Sequence, residues 1–419
     1  MLADLARLLR DPAFIAAHRT DDRAFTRQRI LTFPVLVSFL LCAFKGGLQT
    51  LLDELFATLD AAGVRAVTKS ALSQARQKLK ATVFEALNER LLCSLAALQP
   101  ELRWQGLRLV ATDSTTLRLP NWQENQEEFG AQYDTAGQPY VLARALGLYA
   151  TDARLMLKAT LAPYLTGERA LLATLLPHLD SDDLLLMDRG FPAVWLFTLL
   201  QQRGLPFLAR LDGTQWPCVA DFLRSGQDDT VVTRRVGAEA REQAAAAGQT
   251  LTDKTLTFRL LKVVLPNGTV EVLATSLTDA ETYPAAAFAD LYHARWTIEE
   301  AFKLLKHRLY LEQFTGELPE SIRQDFHAKV FTANLAQALA RATHEALPAD
   351  KAQRYRPNLT HLLQSLKPRL FAWLIQCVSP EQVLTLLELA GNTLELRRPG
   401  RSAPRPLYRL NPRPRRQYR

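Results

Sequence analysis

The sequence predicts an α/β core that carries an antiparallel β insertion and is flanked by helical regions. Three patterns support this fold class. Apolar residues recur every three or four positions through residues 1–98 and again through 321–396, as expected for packed helices. From about residue 104 to 320, short apolar or alternating segments typical of strands are separated by helical segments. Residues 211–280 interrupt that alternation with β-type segments and a Pro-Asn-Gly turn, which predict the insertion.

The N-terminal region, residues 1–98, is predicted to be helical and to bind DNA. Its longest apolar run, Ile30 to Phe44, is too short to cross a bilayer and carries Pro34 near the start of the expected helix. The segment VTKSALSQARQKLK predicts a further helix, capped by Thr68 or Ser70. Its polar side chains are of types that contact bases and phosphates in the major groove, namely Lys69, Gln74, Arg76, Gln77, Lys78 and Lys80. An ordinary basic surface helix is the alternative.

The central region predicts three strands, a helix, a strand, a helix, a strand and a later helix, which is the ribonuclease-H-like order. Asp113 lies on the first strand, in VATDSTT, at the end of an apolar face. Asp188 closes the fourth strand, after the run LLLM. Because ligands collect at the carboxyl ends of strands in α/β sheets, both aspartates are candidates for a site. Taken singly, each is also explained as a cap or turn residue.

A polar stripe is predicted on one helix of the segment LYHARWTIEEAFKLLKHRL. The stripe consists of Tyr292, Arg295, Glu299 and Lys306. A helix turns about 100° per residue, so these spacings keep the four side chains within roughly 60° of one another. An apolar stripe beside them would anchor the helix, formed by Phe288, Leu291, Ile298, Phe302, Leu305 and Leu309. A carboxylate flanked by cations suits a site for metal and phosphate, although a solvated face with an Arg295–Glu299 pair is the alternative.

Asp113, Asp188 and Glu299 together predict a site for two magnesium ions, for which manganese is expected to substitute. Magnesium prefers oxygen ligands and leaves positions open for water and phosphate oxygens. Two such ions about 4 Å apart stabilise the attacking and leaving oxygens of a phosphoryl displacement. The sequence has no GxxxxGK loop, so no nucleotide cofactor is expected.

The net charge of +8 is concentrated in the C-terminal tail, residues 397–419. These residues contain nine arginines, no lysine and no acid, so subtracting them leaves −1 for residues 1–396. With five prolines and few apolar residues, the tail is not expected to fold alone. It is predicted to follow DNA phosphates through arginines that include Arg397, Arg398, Arg401 and Arg405. A solubilising terminus is the alternative.

The remaining composition argues against several classes of protein. The four cysteines are scattered without a CxxC or Cys/His cluster, which argues against structural zinc and favours a reducing compartment. No basic-then-apolar leader opens the chain, so secretion is not expected. A cytoplasmic location is the expectation from these features.

The motifs resemble those of a known family. The pattern Tyr292-x2-Arg295-x3-Glu299-x6-Lys306 resembles the Tyr-Arg-Glu-Lys signature of DDE transposases from bacterial insertion sequences, in the cut-and-paste group called the insertion-sequence-4 family. The TDST and MDRGF segments are similar to its two aspartate motifs, and the resemblance covers about residues 104–320.

The resemblance implies a role for each matching residue. Asp113, Asp188 and Glu299 would form the metal-binding catalytic triad. The residues that would hold the phosphates of the transposon end are Tyr292, Arg295 and Lys306. The implied reaction is metal-activated hydrolysis at the ends of the element, after which the freed 3′-hydroxyl attacks target DNA. Double-stranded DNA is the implied partner, and a homodimer is expected from the need to pair two ends.

One segment departs from the pattern of some relatives. Relatives that excise through a DNA hairpin stack a Trp late in the β insertion on a flipped base, and the matching segment VEVLATSL has no Trp. Trp216 and Trp296 could either stack on a base or lie in the core. Two alternative functions also remain at this stage, a catalytically silent DNA-binding relative and a nuclease without strand transfer. A tyrosine recombinase is disfavoured because Tyr292 shares its stripe with Glu299.

Overall fold

The structure is a computed structural model that describes residues 1–27, 30–43, 47–57, 67–98, 102–265, 267–376 and 379–397. The chain forms two compact units. The first unit comprises residues 1–99, 117–142 and 303–419, and the second comprises residues 100–116 and 143–302. None of the helices in the described ranges is both long enough and apolar enough to cross a membrane.

The described secondary structure follows the chain as seventeen α-helices and eleven strands. The helices are α1 (Leu2–Leu8), α2 (Pro12–His18), α3 (Phe33–Cys42), α4 (Leu48–Ala57), α5 (Lys69–Arg76), α6 (Thr82–Leu98), α7 (Gln123–Phe129), α8 (Glu168–Leu175), α9 (Val194–Gln202), α10 (Pro217–Arg224), α11 (Ala238–Ala246), α12 (Phe288–Ala294), α13 (Trp296–His307), α14 (Pro319–Glu345), α15 (Ala349–Arg354), α16 (Leu359–Gln376) and α17 (Pro380–Asn392). The strands are β1 (Arg108–Leu119), β2 (Ala131–Tyr133), β3 (Pro139–Ala150), β4 (Leu155–Pro163), β5 (Asp183–Met187), β6 (Phe207–Arg210), β7 (Asp229–Arg235), β8 (Thr255–Val264), β9 (Val270–Thr275), β10 (Tyr355–Pro357) and β11 (Leu394–Leu396).

The first unit is built around the long helix α14. Helices α3, α6, α16 and α17 all pack against it, and most of its central residues are buried. The sequence-based division places residues 1–98 and 321–396 in separate regions, whereas this packing joins both sets of helices in one unit. Two local predictions are confirmed. Pro34 lies in the first turn of α3, and the Thr68 side chain caps α5 by accepting a hydrogen bond from the Ala71 N–H.

The second unit is built around a mixed sheet. Its described strands run in the order β3-β1-β5-β6-β9-β8-β7, with β4 antiparallel to β3. Strands β1, β5 and β6 are mutually parallel, and β3 and β4 form an antiparallel hairpin beside them. This is the predicted ribonuclease-H-like arrangement. Strands β1 and β5, the first and fourth of the predicted order, are neighbours in the sheet.

The β insertion is confirmed and extends the sheet. Strand β9 pairs antiparallel with β6, and β8 and β7 continue outward from it. The turn between β8 and β9 includes Gly268, which has a φ of 81°. Glycine adopts this conformation readily because it has no β-carbon to clash with the backbone. Pro266 of the predicted turn lies outside the described residues.

Five elements were not predicted, namely α7, α10, the short strand β2 and the short strands β10 and β11, which lie in the region predicted to be helical. Helix α7 has the sequence QENQEEF, in which Asn125 and Phe129 are buried and the other residues are polar. Such a short, mostly polar segment carries almost no apolar periodicity, so its structure depends on tertiary packing.

Candidate active site

Two aspartates and one arginine form a row across three parallel strands. Asp188 directly follows β5 and Arg210 ends β6, whereas Asp113 lies within β1, which continues to Leu119 rather than ending at the aspartate. In the register of β1 and β5, Ala111 lies opposite Leu186. Two residues further along both segments, Asp113 therefore lies opposite Asp188. In the register of β5 and β6, Met187 lies opposite Ala209, which brings Arg210 level with Asp188. Adjacent strands are about 5 Å apart, so these three residues are direct neighbours.

The apolar core determines which side of the sheet carries this row. Val110, Leu185 and Met187 belong to the main hydrophobic cluster of the second unit. Because successive side chains of a strand point to opposite faces, Asp113 and Asp188 project from the other face. The buried residues at alternate positions therefore fix the direction of both carboxylates.

Helices α12 and α13 cover that other face. The sequence predicted one continuous helix, whereas the structure has two, with Arg295 between them. The backbone at Arg295 remains helical, but the Arg295 N–H bonds to the Tyr292 carbonyl and the Ile298 N–H bonds to the Arg295 carbonyl, at 3.1 and 3.3 Å. These i to i−3 bonds tighten the chain by a local 3₁₀ turn rather than redirect it. The predicted apolar stripe is buried along its whole length.

Arg295 is buried and only partly satisfied. Its Nη2 donates to Glu299 Oε1 at 3.1 Å, and its guanidinium lies over the Tyr292 ring at 5.7 Å. Its Nε and Nη1 are buried and have no hydrogen-bond partner among the residues that the structure describes. Unpaired buried donors cost free energy, so they commonly mark a position for an absent ligand. The i, i+4 pair with Glu299 exists, but it is buried and uses only one of the donor nitrogens.

Asp188 is held from two sides. The Tyr292 hydroxyl donates to Asp188 Oδ1 at 3.3 Å, and Arg210 Nη2 donates to the same oxygen at 3.0 Å. Arg210 also pairs with Glu271 through Nη1, at 2.5 Å. Burial alone would raise the pKa of Asp188, but the Arg189 N–H, the two arginines and Tyr292 together hold the pKa below its usual value. Asp188 is therefore ionised at neutral pH.

Asp113 has the opposite electrostatic character. Burial raises its pKa from 3.8 to about 6, and the negative charges of Glu299 and Asp188 add to that rise. A hydrogen bond from the Ser114 N–H and the positive charge of Arg295 oppose it. Asp113 thus lies within electrostatic reach of both other acids. Their mutual repulsion is of the kind that a bound cation relieves.

The donor chemistry of the site fits magnesium, although the carboxylates do not form a preformed cage. Asp113, Asp188 and Glu299 offer hard oxygen ligands. In the described part of the chain, however, no three His, Cys, Asp or Glu side chains are arranged as a metal site. Here Arg295 supplies the positive charge, since it interacts with Asp188 and Glu299 as well as with Asp113.

Lys306 and the two candidate tryptophans have separate outcomes. Lys306 lies in the last turn of α13, within the first unit, so its place beside the phosphates stays a prediction. Trp216 is buried among Phe197 and Phe258 and is a core residue. Trp296 is 51% exposed and packs near His293 and Arg295.

The predicted DNA contacts of α5 need one correction. Arg76 does not face solvent: it is 2% exposed and pairs with Asp325 at 2.9 Å, and its other nitrogens bond to Gln324 and Thr315. The periodicity of α5 places Arg76 on the same side as the buried Leu72, which turns it into the first unit. The remaining candidates of this segment are exposed, namely Lys69, Gln74, Gln77, Lys78 and Lys80. In the tail, Arg397 is described, whereas Arg398, Arg401 and Arg405 lie outside the described residues.

Sequence reasoning missed Arg210 and Glu271, which complete the environment of Asp188. Arg210 follows the apolar residues of β6 as Asp188 follows those of β5, and this parallel is visible in the sequence. Glu271 had no comparable signal, because its approach to Arg210 depends on the pairing of β6 with the inserted strand β9.

Residues 104–335 match the family described as Transposase DDE domain. The chain is similar to the transposase InsG for insertion sequence element IS4 of Escherichia coli (strain K12), with 26% identity over 278 residues that cover 65% of this chain and 61% of InsG. It is also similar to the putative transposase InsZ of the same organism, with 31% identity over 147 residues that cover 34% of this chain and 49% of InsZ. The chain thus spans less than two thirds of the length of both relatives. A solved piggyBac transposase synaptic complex with hairpin DNA aligns with a TM-score of 0.46 and 11% identity, over 96% of this chain and 87% of that chain.

Proposed function

This chain belongs to the transposase DDE domain family, and we propose that it is a DNA transposase that binds the ends of an insertion sequence, cleaves them by metal-dependent hydrolysis and joins the 3′ ends to target DNA. The observation that carries this proposal is the site around Arg295. Two aspartates on neighbouring strands and Glu299 lie around a buried guanidinium whose Nε and Nη1 have no hydrogen-bond partner among the described residues. A phosphodiester offers the paired oxygens that such a fork binds.

Asp113, Asp188 and Glu299 are the residues that would hold two magnesium ions, or manganese in their place, and no nucleotide is needed. When bound, the ions lower the pKa of water and stabilise the oxygens of an in-line displacement. The protein contributes the orientation of the ligands. Tyr292 and Arg210 fix one oxygen of Asp188, while the Ser114 N–H fixes one oxygen of Asp113.

Arg295, Tyr292 and Lys306 would position the DNA backbone. A DNA phosphate entering the site would accept hydrogen bonds from the unused donors of Arg295, and its negative charge would be offset by that guanidinium. The Tyr292 side chain is held beneath Arg295 by the cation–π contact, which limits the orientations of both groups. This fixed geometry would present the phosphodiester to the carboxylates without a reorganisation cost.

Cleavage of an end-containing duplex tests the proposal. We expect Asp113→Asn, Asp188→Asn and Glu299→Gln each to reduce magnesium-dependent strand cleavage by at least about 10³-fold, because each change removes an anionic ligand. Binding of the same duplex without metal should persist. Cleavage that survives any one of these substitutions would contradict the triad assignment.

Strand joining separates this function from the two alternatives. A pre-cleaved end carrying a free 3′-hydroxyl should be joined to a second duplex by the wild-type protein. Cleavage without joining would indicate a nuclease, and end binding without either reaction would indicate a silent relative. We expect a homodimer, because two ends must be paired, and the mass of the DNA-bound complex would test this. The protein is expected to act in the cytoplasm.

The tail is proposed to add non-specific affinity for DNA. Deleting residues 397–419 removes nine arginines, so we expect weaker binding and a shallower dependence of log K on log salt concentration. Fluorescence anisotropy at several salt concentrations measures this slope. An unchanged slope would show that the tail does not contact phosphates.

A further inference from the structure

The first turn of helix α8 contacts the chain close to both aspartates. Glu168 accepts a hydrogen bond from the Ser114 hydroxyl, directly after Asp113. The next residue, Arg169, donates from Nε to the Phe191 carbonyl at 2.9 Å, three residues after Asp188. Two consecutive residues of one helix therefore contact the part of β1 that carries Asp113 and the turn that follows Asp188.

Glu168 is itself held in place. Arg144, on β3, donates from Nη1 to Glu168 Oε1 at 2.7 Å. The Arg144 guanidinium also bonds to the Tyr164 carbonyl and lies over the Tyr164 ring. The carboxylate is about one-third exposed and so retains a partly solvated environment. Its orientation is determined by contacts with β1 and β3 and by its position at the start of α8.

These contacts continue to the aspartates through the backbone. The Ser114 N–H bonds to Asp113 Oδ1 at 2.8 Å, so the backbone at Ser114 sets the direction of that carboxylate. After β5, the Phe191 N–H bonds to the Asp188 carbonyl at 3.0 Å and closes a turn. Arg169 stabilises this turn by donating to the Phe191 carbonyl. A shift of α8 would therefore move Asp113 and Asp188 relative to each other.

We propose that Glu168 and Arg169 are positioning residues that set the spacing of Asp113 and Asp188. This inference rests on the proposed function, because the spacing matters only if the two aspartates bind metal together. Neither residue needs to touch metal or DNA. Residues that orient metal ligands typically contribute 10- to 100-fold to affinity or activity, and we expect effects of about that size here.

Manganese binding to the DNA-free protein provides a readout that is independent of catalysis. We expect Glu168→Ala to raise the manganese dissociation constant by about 10- to 100-fold, measured by calorimetry or electron paramagnetic resonance. Glu168→Gln should have a smaller effect, because its amide oxygen still accepts from the Ser114 hydroxyl. The matched control is Glu239→Ala, since Glu239 is also a first-turn acid in the second unit and accepts a hydrogen bond from Gln243 of its own helix.

Arg169→Lys tests the second contact with its own control. The change keeps the charge but loses the planar donor to the Phe191 carbonyl, so manganese affinity should again fall. Arg241→Lys is the matched control, because Arg241 also donates to backbone carbonyls, those of Leu251 and Asp253. Melting temperatures identify any variant that has lost its fold, and Arg169→Lys with its control carries the test if Glu168→Ala does not fold.

The outcomes separate this inference from the proposed function. If the wild-type protein binds manganese and cleaves DNA while the Glu168 and Arg169 variants behave like their controls, the positioning role is wrong and the function stands. Equal losses of manganese affinity in Glu168→Gln and Glu168→Ala would also overturn it, since they would indicate that the Glu168 carboxylate itself binds the metal. A wild-type protein that neither binds manganese nor cleaves would overturn the function and this inference with it.

Discussion

Arg76 and Arg295 are both buried, and the sequence predicted that both contact DNA. Their surroundings differ in one respect. Every nitrogen of the Arg76 guanidinium has a protein partner, and one of these partners is the buried carboxylate of Asp325. Arg295 uses Nη2 for Glu299, and in the described part of the chain its Nε and Nη1 have no hydrogen-bond partner. A buried cation with all of its donors satisfied stabilises a fold, whereas one with unused donors can bind a ligand.

The backbone around Arg76 supports the structural role. A β-carbon on Gly316 would lie 2.7 Å from Arg76 Nη1 and 2.6 Å from Ser321 Cβ. Only glycine permits the chain to approach the guanidinium this closely. No space is therefore left at Arg76 for a phosphate, and the arginine links α5 to the residues around the start of α14.

The largest expected effect concerns Arg76. Arg76→Ala leaves Asp325 buried without its cation, so we expect the free energy of unfolding to fall by about 3–5 kcal/mol. The cleavage rate per folded molecule should stay close to that of the wild type. Urea denaturation and single-turnover cleavage under strongly native conditions measure the two quantities. If Arg76→Ala is as stable as the wild type but fails to bind DNA, Arg76 contacts DNA and its structural role is wrong.

Arg295 should give the reverse result. Arg295→Lys keeps the charge beside the three acids but loses the planar fork, so we expect cleavage to slow by about 10²- to 10³-fold. The free energy of unfolding should change by less than about 1 kcal/mol, because the protein uses few of the Arg295 donors. Arg76→Lys is the matched substitution at the satisfied site. A large loss of stability in Arg295→Lys would erase the distinction between the two residues.

The sequence predicted the parts of the site that depend on local pattern. The apolar runs before Asp113 and Asp188 located the two strands, although β1 continues beyond Asp113 to Leu119. Helical periodicity placed Tyr292, Arg295 and Glu299 on one face. These signals work because burial imposes a period of two on strands and 3.6 on helices. The break at Arg295 escaped prediction, since its backbone stays helical and neither Gly nor Pro marks it.

Long-range partners could not be predicted from the same signals. Arg76 meets Gln324 and Asp325, almost 250 positions away, and its residue type alone favours a solvent-facing or DNA-facing role. Glu271 reaches Arg210 only through the register of the inserted strand. Local periodicity contains no information about which distant strand or helix comes into contact, so these pairs require the folded structure.

Asp113 gives the smallest expected effect and tests the charge balance around Arg295. Its folded pKa of about 6 lies above the ordinary 3.8, so the ionised form is disfavoured in the folded state. The resulting penalty is fully present above about pH 6, decreases as the pH falls and is absent below 3.8. Asp113→Asn removes this penalty, so without metal the variant should be more stable than the wild type at pH 8, by on the order of 3 kcal/mol.

The pH dependence of that difference is the decisive measurement. Thermal unfolding of the metal-free proteins between pH 8 and pH 4 should show the advantage of Asp113→Asn shrinking as the wild-type carboxylate binds its proton. Magnesium at pH 8 should stabilise the wild type by mass action and stabilise the variant much less, since the variant lacks one anionic ligand. If the variant is instead less stable at pH 8, Arg295 already compensates the charge of Asp113. The Arg295 guanidinium would then be satisfied by protein groups, as that of Arg76 is.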